Sequence, residues 1–530
     1  MSKSNHLCCN PRHLVVEFLD GGLQFVENNE AINDLSKRKE KDDCVEPFSP
    51  QRRGVRRGFA EKFGKTLRFL CVLGVSAVKE KPGSVALKRV VLIFSVALSF
   101  VGLGDWSSIA QRQSATPPSK QAQQIRLGER LFSEDRFTTA TGDLATSCAV
   151  CHLTDQDPQG RRVFTDFFNR SWVPYRNEDP RRTEIRNSPT LLDVALMPLL
   201  HLDGEFKSLE ELVAGTFSGR PMGWLPGEEE QAFSQIQSVL LADKATEASA
   251  SYREQFKAAF DVELEKLSRD QIIGLVSKAV ADFMRTMRSK LDSPYDRFVK
   301  LNGLAAAPAE GENAKAFAAR ALARLADLDA KNSLKFGSGF NRAALDGFRI
   351  FLRTEGATSV GNCVACHAPP LFTDNSFHNL GVSQAEFDRL NGEGEFAQFA
   401  IPDAATAKRP SAKFRETVEK GRLGVADLGH WNFVDLKTSP LRRAGESDDQ
   451  LLRRMIGAFK TPTLRHLKFS EPYFHSGDYS SLEDVLKEIV RLSEMARAGQ
   501  LREPDEELLK IRLKETDVAA LMAFLATLNE

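Results

Sequence analysis

Two stretches decide the reading of this chain: SCAVCH at residues 147–152 and NCVACH at residues 362–367. Each places two cysteines three positions apart with a histidine directly after the second. With residues treated as independent, that pattern arises by chance roughly 0.002 times in a chain of this composition, so two copies carry weight. The spacing suits one chemistry. Two thiols add across the two vinyl groups of a haem, and the adjacent histidine reaches the iron from one face. Cys148, Cys151, Cys363 and Cys366 are therefore read as attachment points, and His152 and His367 as proximal iron ligands. The competing reading is a zinc site or a disulfide pair. Zinc would want a fourth ligand at each centre, and no further cysteine follows residue 110.

The other four cysteines, Cys8, Cys9, Cys44 and Cys71, lie in the first eighty residues. Residues 90–104, VVLIFSVALSFVGLG, form an uncharged, mostly apolar run preceded by Lys88 and Arg89 and followed by small residues through Ala110. That is the anatomy of a secretory signal, too short for the usual membrane span of about 20 residues. Export to the periplasm is expected, with an uncleaved membrane anchor as the alternative. Residues 1–110 are thus read as an amino-terminal extension plus signal. The mixed charge before residue 85 suggests a start codon placed too early, with Val85 as an example of the true one. Covalent haem attachment is completed outside the cytoplasm, in agreement with export.

At 42% apolar and 27% charged, the 530 residues have ordinary globular chemistry. Collagen, coiled-coil and disordered classes are excluded. Seventy-two basic and seventy-two acidic side chains cancel, so no global field draws the chain to nucleic acid.

Sequence around the two cysteine motifs repeats. LGERLF at 127–132 precedes the first and LDGFRIFL at 345–352 the second; Phe164-Thr165-Asp166 and Phe372-Thr373-Asp374 follow them. Further on, SPTLLDVALMPLLHLDGEFKSLEELV from Ser188 matches TPTLRHLKFSEPYFHSGDYSSLEDVL from Thr461. One ancestral unit appears twice. Apolar spacing predicts helices over 121–132, 271–290, 342–352 and 514–528, with Ser208 and Ser481 as caps. Strand signals are few. The alanine-rich segment 304–340, flanked by proline and glycine, is read as a linker or insertion between a domain at 111–303 and one at 341–530. Residues 382–426 read as an elaborated surface loop.

Together, LGERLFSEDRF, SCAVCH, RNSPTLLDV, FMRTMRSKLDSPYDRF, NCVACHAPPLFTD with FHNLG, and KTPTLRHLKFSEPYFHSG resemble the bacterial diheme cytochrome c peroxidase and MauG superfamily. The resemblance spans about residues 121 to 530. The fold class it implies is mainly α, with two cytochrome c-like haem domains related by internal duplication. It also implies two covalently bound c-type haems, a peroxidatic one on His152 and an electron-transfer one on His367. A calcium ion between the domains would match Asn187, Ser470 and Pro472. Its implied partners are hydrogen peroxide and a small donor such as a cytochrome c or cupredoxin; a protein substrate and a homodimer also belong to this expectation.

Peroxide chemistry needs an open iron position, a proton shuttle and a partner for the leaving oxygen. The family's distal glutamine and glutamate fall on Leu212 and near Pro221, neither of which moves protons. Nearby substitutes are His201, Asp203, Glu210, Glu211 and Arg220, with His201 preferred; each also has a plain reading as a capping, solvated or core residue. The family's tryptophan between the haems falls on Leu202, leaving Trp172, Trp224 and Trp431 as alternatives without positional support. Its sixth ligand to the second haem falls on Ile489, so Met495 serves only if the segment is shifted. Three functions follow: a peroxide-reducing enzyme, a MauG-like oxidant of side chains on a partner protein, or a diheme electron carrier without substrate chemistry.

Overall fold

The structure, a computed structural model, describes residues 119–139, 145–156, 162–166, 186–247, 249–398, 401, 404, 414–416 and 425–530, with the backbone of a strand pair at 14–19 and 22–27. Side chains at 153–156, 162–166 and 414–416 are outside that description, as are the signal segment 90–104 and Trp172. Among the described residues the chain is mainly helical. In order the helices are α1 Lys120–Phe132, α2 Cys148–Cys151, α3 Leu209–Phe217, α4 Glu229–Ala242, α5 Tyr252–Phe260, α6 Arg269–Met284 and α7 Pro294–Leu301. They continue with α8 Ala314–Ala330, α9 Arg342–Leu352, α10 Val382–Asn391, α11 Asp448–Arg454, α12 Leu482–Arg497 and α13 Glu515–Ala526. Among the described residues the strands form antiparallel pairs: β1 Leu14–Leu19 with β2 Gly22–Glu27, β3 His152–Gln156 with β4 Arg162–Asp166, β5 Phe377–His378 with β8 Phe459–Lys460, and β6 Phe414–Glu416 with β7 Val425–Asp427.

Serine caps set the helix starts. Ser251, Ser268, Ser293 and Ser447 each form a reciprocal capping box with the residue three positions on, satisfying two otherwise orphaned N–H groups. Ser208 and Ser481 accept from Glu211 N and Asp484 N, as their motifs predict.

Two apolar cores follow. In the first, Leu127, Leu131 and Phe132 of α1 pack on Ile272, Val276 and Phe283 of α6. In the second, Leu345, Phe348 and Phe351 of α9 pack on Val518, Leu521 and Phe524 of α13. Both helix pairs approach through a glycine. A Cβ on Gly128 would lie 1.9 Å from the Ala279 carbonyl oxygen, and one on Gly347 1.9 Å from that of Ala520. The local backbone recurs as well. Asp193 and His466 adopt φ of 58° and 59°, each ahead of a 3-10 turn (Val194–Leu196 and Leu467–Phe469). His201 and Phe474 adopt φ of 64° and 61° inside the matching bridges Leu200↔Phe206 and Tyr473↔Tyr479.

Three expectations are corrected. The segment 304–340 is not a plain linker: α8 buries Phe317, Ala318 and Leu325 in the second core, which already begins at Tyr295. Its alanines are helix formers packed by a narrow apolar stripe, a pattern that composition alone blurs. Residues 382–426 are not all surface loop either, since α10 buries Val382 and Phe387, and Ala426 joins a third cluster around Trp431. The predicted helix over 271–290 ends at Met284, with Met287 buried just beyond it.

Candidate functional site

Each cysteine motif sits in a single tight turn, with α2 holding Cys148 and Cys151 and a 3-10 turn, Cys363–Ala365, holding the second pair. The thiols face the interior. Burial pushes Cys148, Cys151 and Cys363 up to about 12, and Cys366 upward as well, so all four are neutral thiols rather than thiolates. His367 Nδ1 lies 2.8 Å from the Phe372 carbonyl oxygen, a contact that orients the ring in the way ligating histidines are commonly held. Burial draws that imidazole below its ordinary value, which keeps it neutral. His152 lies against Ser188, whose hydroxyl is 3.2 Å from Nε2.

The first motif opens onto a partly enclosed, mostly apolar cavity, the kind of lining that cofactor sites use. Cys148, Cys151 and His152 line it together with Leu202, Leu212, Pro221, Met222, Met197 and Met284. The residues present thus fit a haem there: two thiols, an imidazole and a largely apolar chamber. His201 reaches the same cavity and pairs through Nδ1 with Glu205 at 3.0 Å.

The other proposed proton shuttles do not reach it. Glu210 is held at the surface by Arg285 at 2.8 Å. Glu211 caps the start of α3, accepting from Lys207 N. Arg220 opens the turn Arg220–Met222, of which Pro221 and Met222 line the cavity. Helix starts attract acidic residues for capping, and that role explains Glu211.

Two charged residues in the cavity wall carried no role in the motif reading. Arg186, 3% exposed, donates to both carboxylate oxygens of Asp427 at 2.6 Å and to Asp203. Lys460 donates from Nζ to the Leu199 carbonyl at 2.9 Å, 5% exposed. Neither is visible from periodicity, because arginine and lysine are rarely buried unless paired. Replacing Arg186 by methionine leaves Asp203 and Asp427 facing each other in the interior, and is expected to destabilise the fold by about 3–5 kcal/mol, read as a lowered urea midpoint.

The two motifs are joined by a short ladder. Lys460 N donates to Leu202 O at 2.8 Å, and β8 pairs Lys460 with Phe377 in β5. Next in β5, His378 sits between Asp374 (2.9 Å) and Asp505 (2.7 Å) and groups with Cys366. Burial opposes its charge, but the two carboxylates outweigh it and hold the imidazolium up to about 12. Aromatic stacks flank the ladder: His430 lies on Phe377 at 3.9 Å and His475 on Phe459 at 3.8 Å. Trp431 is instead buried in the third cluster, and Trp224 donates to Phe137 O at 3.1 Å.

Met495 does not substitute for Ile489. Six residues along α12 amount to about 9 Å of rise on a different face, and Met495 packs with Leu492, Leu501 and Leu508, whereas Cys363 packs in the second core. Asn187 and Pro472 do meet, with Nδ2 donating to the prolyl carbonyl at 2.5 Å and to Phe474 O at 3.2 Å. Ser470 turns its hydroxyl to Leu467 O at 3.4 Å. As arranged these groups satisfy one another; calcium would need the Asn187 amide turned so that its oxygen faces the carbonyls.

Comparison with known proteins agrees with the twin motifs. A family profile described as "Di-haem cytochrome c peroxidase" matches residues 122–303. The cytochrome-c peroxidase IdrP2 of Denitromonas iodatirespirans is 25% identical over 418 residues, covering 78% of this chain and 84% of that protein. Over most of its length the chain is similar to diheme cytochrome c peroxidases and MauG proteins. The methylamine utilization protein MauG of Methylophilus methylotrophus is 24% identical over 404 residues, covering 76% and 81%. Among solved structures, the diheme peroxidase BthA from Burkholderia thailandensis E264 matches with a TM-score of 0.47 and 16% identity over 78% of this chain and 89% of that one. These similarities support a peroxidase-type oxidoreductase with haem cofactors. Leu212 and Pro221, at and near which the resemblance would place a distal glutamine and glutamate, both line the cavity.

Proposed function

We propose that the chain is an exported diheme c-type oxidoreductase that reduces hydrogen peroxide with electrons from a small redox protein. The observation that carries this reading is the open cavity over Cys148, Cys151 and His152. Haem bound there supplies redox equivalents and a coordination position for a small oxidant. The chain's own residues do the rest. Cys148 and Cys151 form the thioethers, His152 orients through Ser188, and Leu212, Met222 and Met284 exclude bulk water. Cys363, Cys366 and His367 would hold the second haem, which would pass on the donor's electrons, and the β5–β8 ladder connects the two motifs. The paired glycine crossings and the recurring backbone support two cytochrome c-like units derived from one. A calcium ion at Asn187 and Pro472 belongs to this reading with the amide turned over.

The apolar Leu212 and Pro221 favour one second reading, a diheme electron carrier without substrate chemistry of its own. Holoprotein mixed with peroxide and a reduced small cytochrome c separates the two. The expected result is donor oxidation with two cytochromes consumed per peroxide. No oxidation, with both ferric spectra six-coordinate and unaltered by peroxide, selects the carrier; oxidised side chains on an added exported protein select the MauG-like alternative.

A further inference from the structure

The first cavity carries Leu212 and Pro221 where the resemblance leads one to expect proton-moving side chains, yet a buried lysine has been built into its wall. Lys460 is tied at both ends to the loop 197–202. Its backbone N–H donates to Leu202 O at 2.8 Å, its ammonium donates to Leu199 O at 2.9 Å, and Met197 Sδ lies 3.4 Å from Nζ. An ammonium carries three donors, of which the Leu199 carbonyl takes one and a thioether is only a weak acceptor for a second. A donor is left on a nitrogen whose side chain lines the cavity.

The charges around it are few. Asp203 favours the cation, but Asp203 is already committed to Arg186, which also binds Asp427. His201, paired with Glu205, and His152 line the same space. Burial outweighs Asp203 and lowers Lys460 to about 8, so the group exchanges its proton near neutrality, where a proton shuttle works best. A lysine placed only to hold a carboxylate would sit in direct contact with one; this one contacts a carbonyl and a sulfur.

We propose that Lys460 is the acid–base group of the first cavity, giving its proton to the leaving oxygen of bound peroxide. The inference rests on the peroxide reading above. The balance is simple: the O–O bond breaks, the donor protein supplies two electrons, Nζ supplies one proton and solvent the other, and two waters form. The neutral amine regains its proton from solvent before the next turnover.

The test uses haem-loaded wild type, Lys460→Met and Lys460→Arg, matched for haem content and circular dichroism, with two readouts. In the first, fluoride is titrated into ferric protein at pH 6.5; fluoride accepts a hydrogen bond from a distal cation without any turnover. The expected result is an affinity about 10-fold weaker in Lys460→Met and close to wild type in Lys460→Arg, whose guanidinium donates but does not deprotonate. In the second, kcat/KM for peroxide is followed against pH. Wild type falls as pH rises through about 8, and both variants lose about 10²–10⁴-fold, the usual contribution of a general acid. Should Lys460→Met keep wild-type fluoride affinity, or keep its rate and its alkaline limb, the proposal is overturned. It is overturned equally if His201→Gln removes the limb and Lys460→Met does not. A wild type that reduces no peroxide defeats the function reading alone, and fluoride still decides whether Lys460 faces the ligand. If Lys460→Met fails to fold, the arginine variant decides: retained fluoride binding with lost turnover supports the role, and retained turnover ends it.

Discussion

Serine at both Cys148 and Cys151 is expected to abolish peroxide turnover, lowering kcat/KM by more than about 10³-fold, over 4 kcal/mol of transition-state stabilisation at 1.36 kcal/mol per decade. Covalent haem should fall from two per chain to one in a pyridine haemochrome assay. The reasoning is geometric. This motif opens onto the cavity lined by Leu212 and Pro221, so its loss removes the proposed site where a small oxidant would approach iron. Serine at Cys363 and Cys366 should also leave one haem, but for a different reason: the first haem remains able to meet peroxide and is cut off from its donor. A single rapid reaction with peroxide should then survive while steady turnover is lost. Equal behaviour of the two double variants, with both retaining turnover, would contradict the division of labour between the halves.

Alanine at Gly128 or Gly347 is expected to destabilise the protein by about 3 kcal/mol, the upper end of what overpacking a tight contact costs. Added Cβ atoms would lie 1.9 Å from the Ala279 and Ala520 carbonyl oxygens, and these are helix backbone atoms that cannot swing aside. For a unit of this size that corresponds to a fall in Tm of roughly 6–12 °C by scanning calorimetry. Gly274 is the internal control. It lies in the same helix as Ala279, and a Cβ added there would meet nothing within 4 Å, so alanine should be neutral or stabilising by up to about 1 kcal/mol. Comparable losses at all three positions would mean that helix propensity, not close approach, governs the crossings.

The parts of the molecule legible in the sequence are those governed by short-range rules. The cysteine turns follow from thioether spacing, the starts of α3 and α12 from their capping serines, and the mainly helical class from apolar periodicity. What stayed hidden depends on distant chain segments. Arg186 gives no local sign that Asp427, far along the chain, will enclose it, and Lys460 looks like any surface lysine beside a proline-containing turn. Glu210 and Glu211 show the reverse error: acidic residues next to a suspected site are adequately explained by the helix they open and the arginine they meet. Met495 failed for a simpler reason, since a continuous helix turns it away from the face that Ile489 occupies.

The clasp of Lys460 on the loop 197–202 also bears on timing. Tunnelling of an electron falls off exponentially with separation, and here the strand that reaches towards His378 is the one whose neighbour grips that loop at both backbone and side chain. A gap held by such fastenings does not wait for a hinge to close, so the step between the two centres should vary little with solvent viscosity.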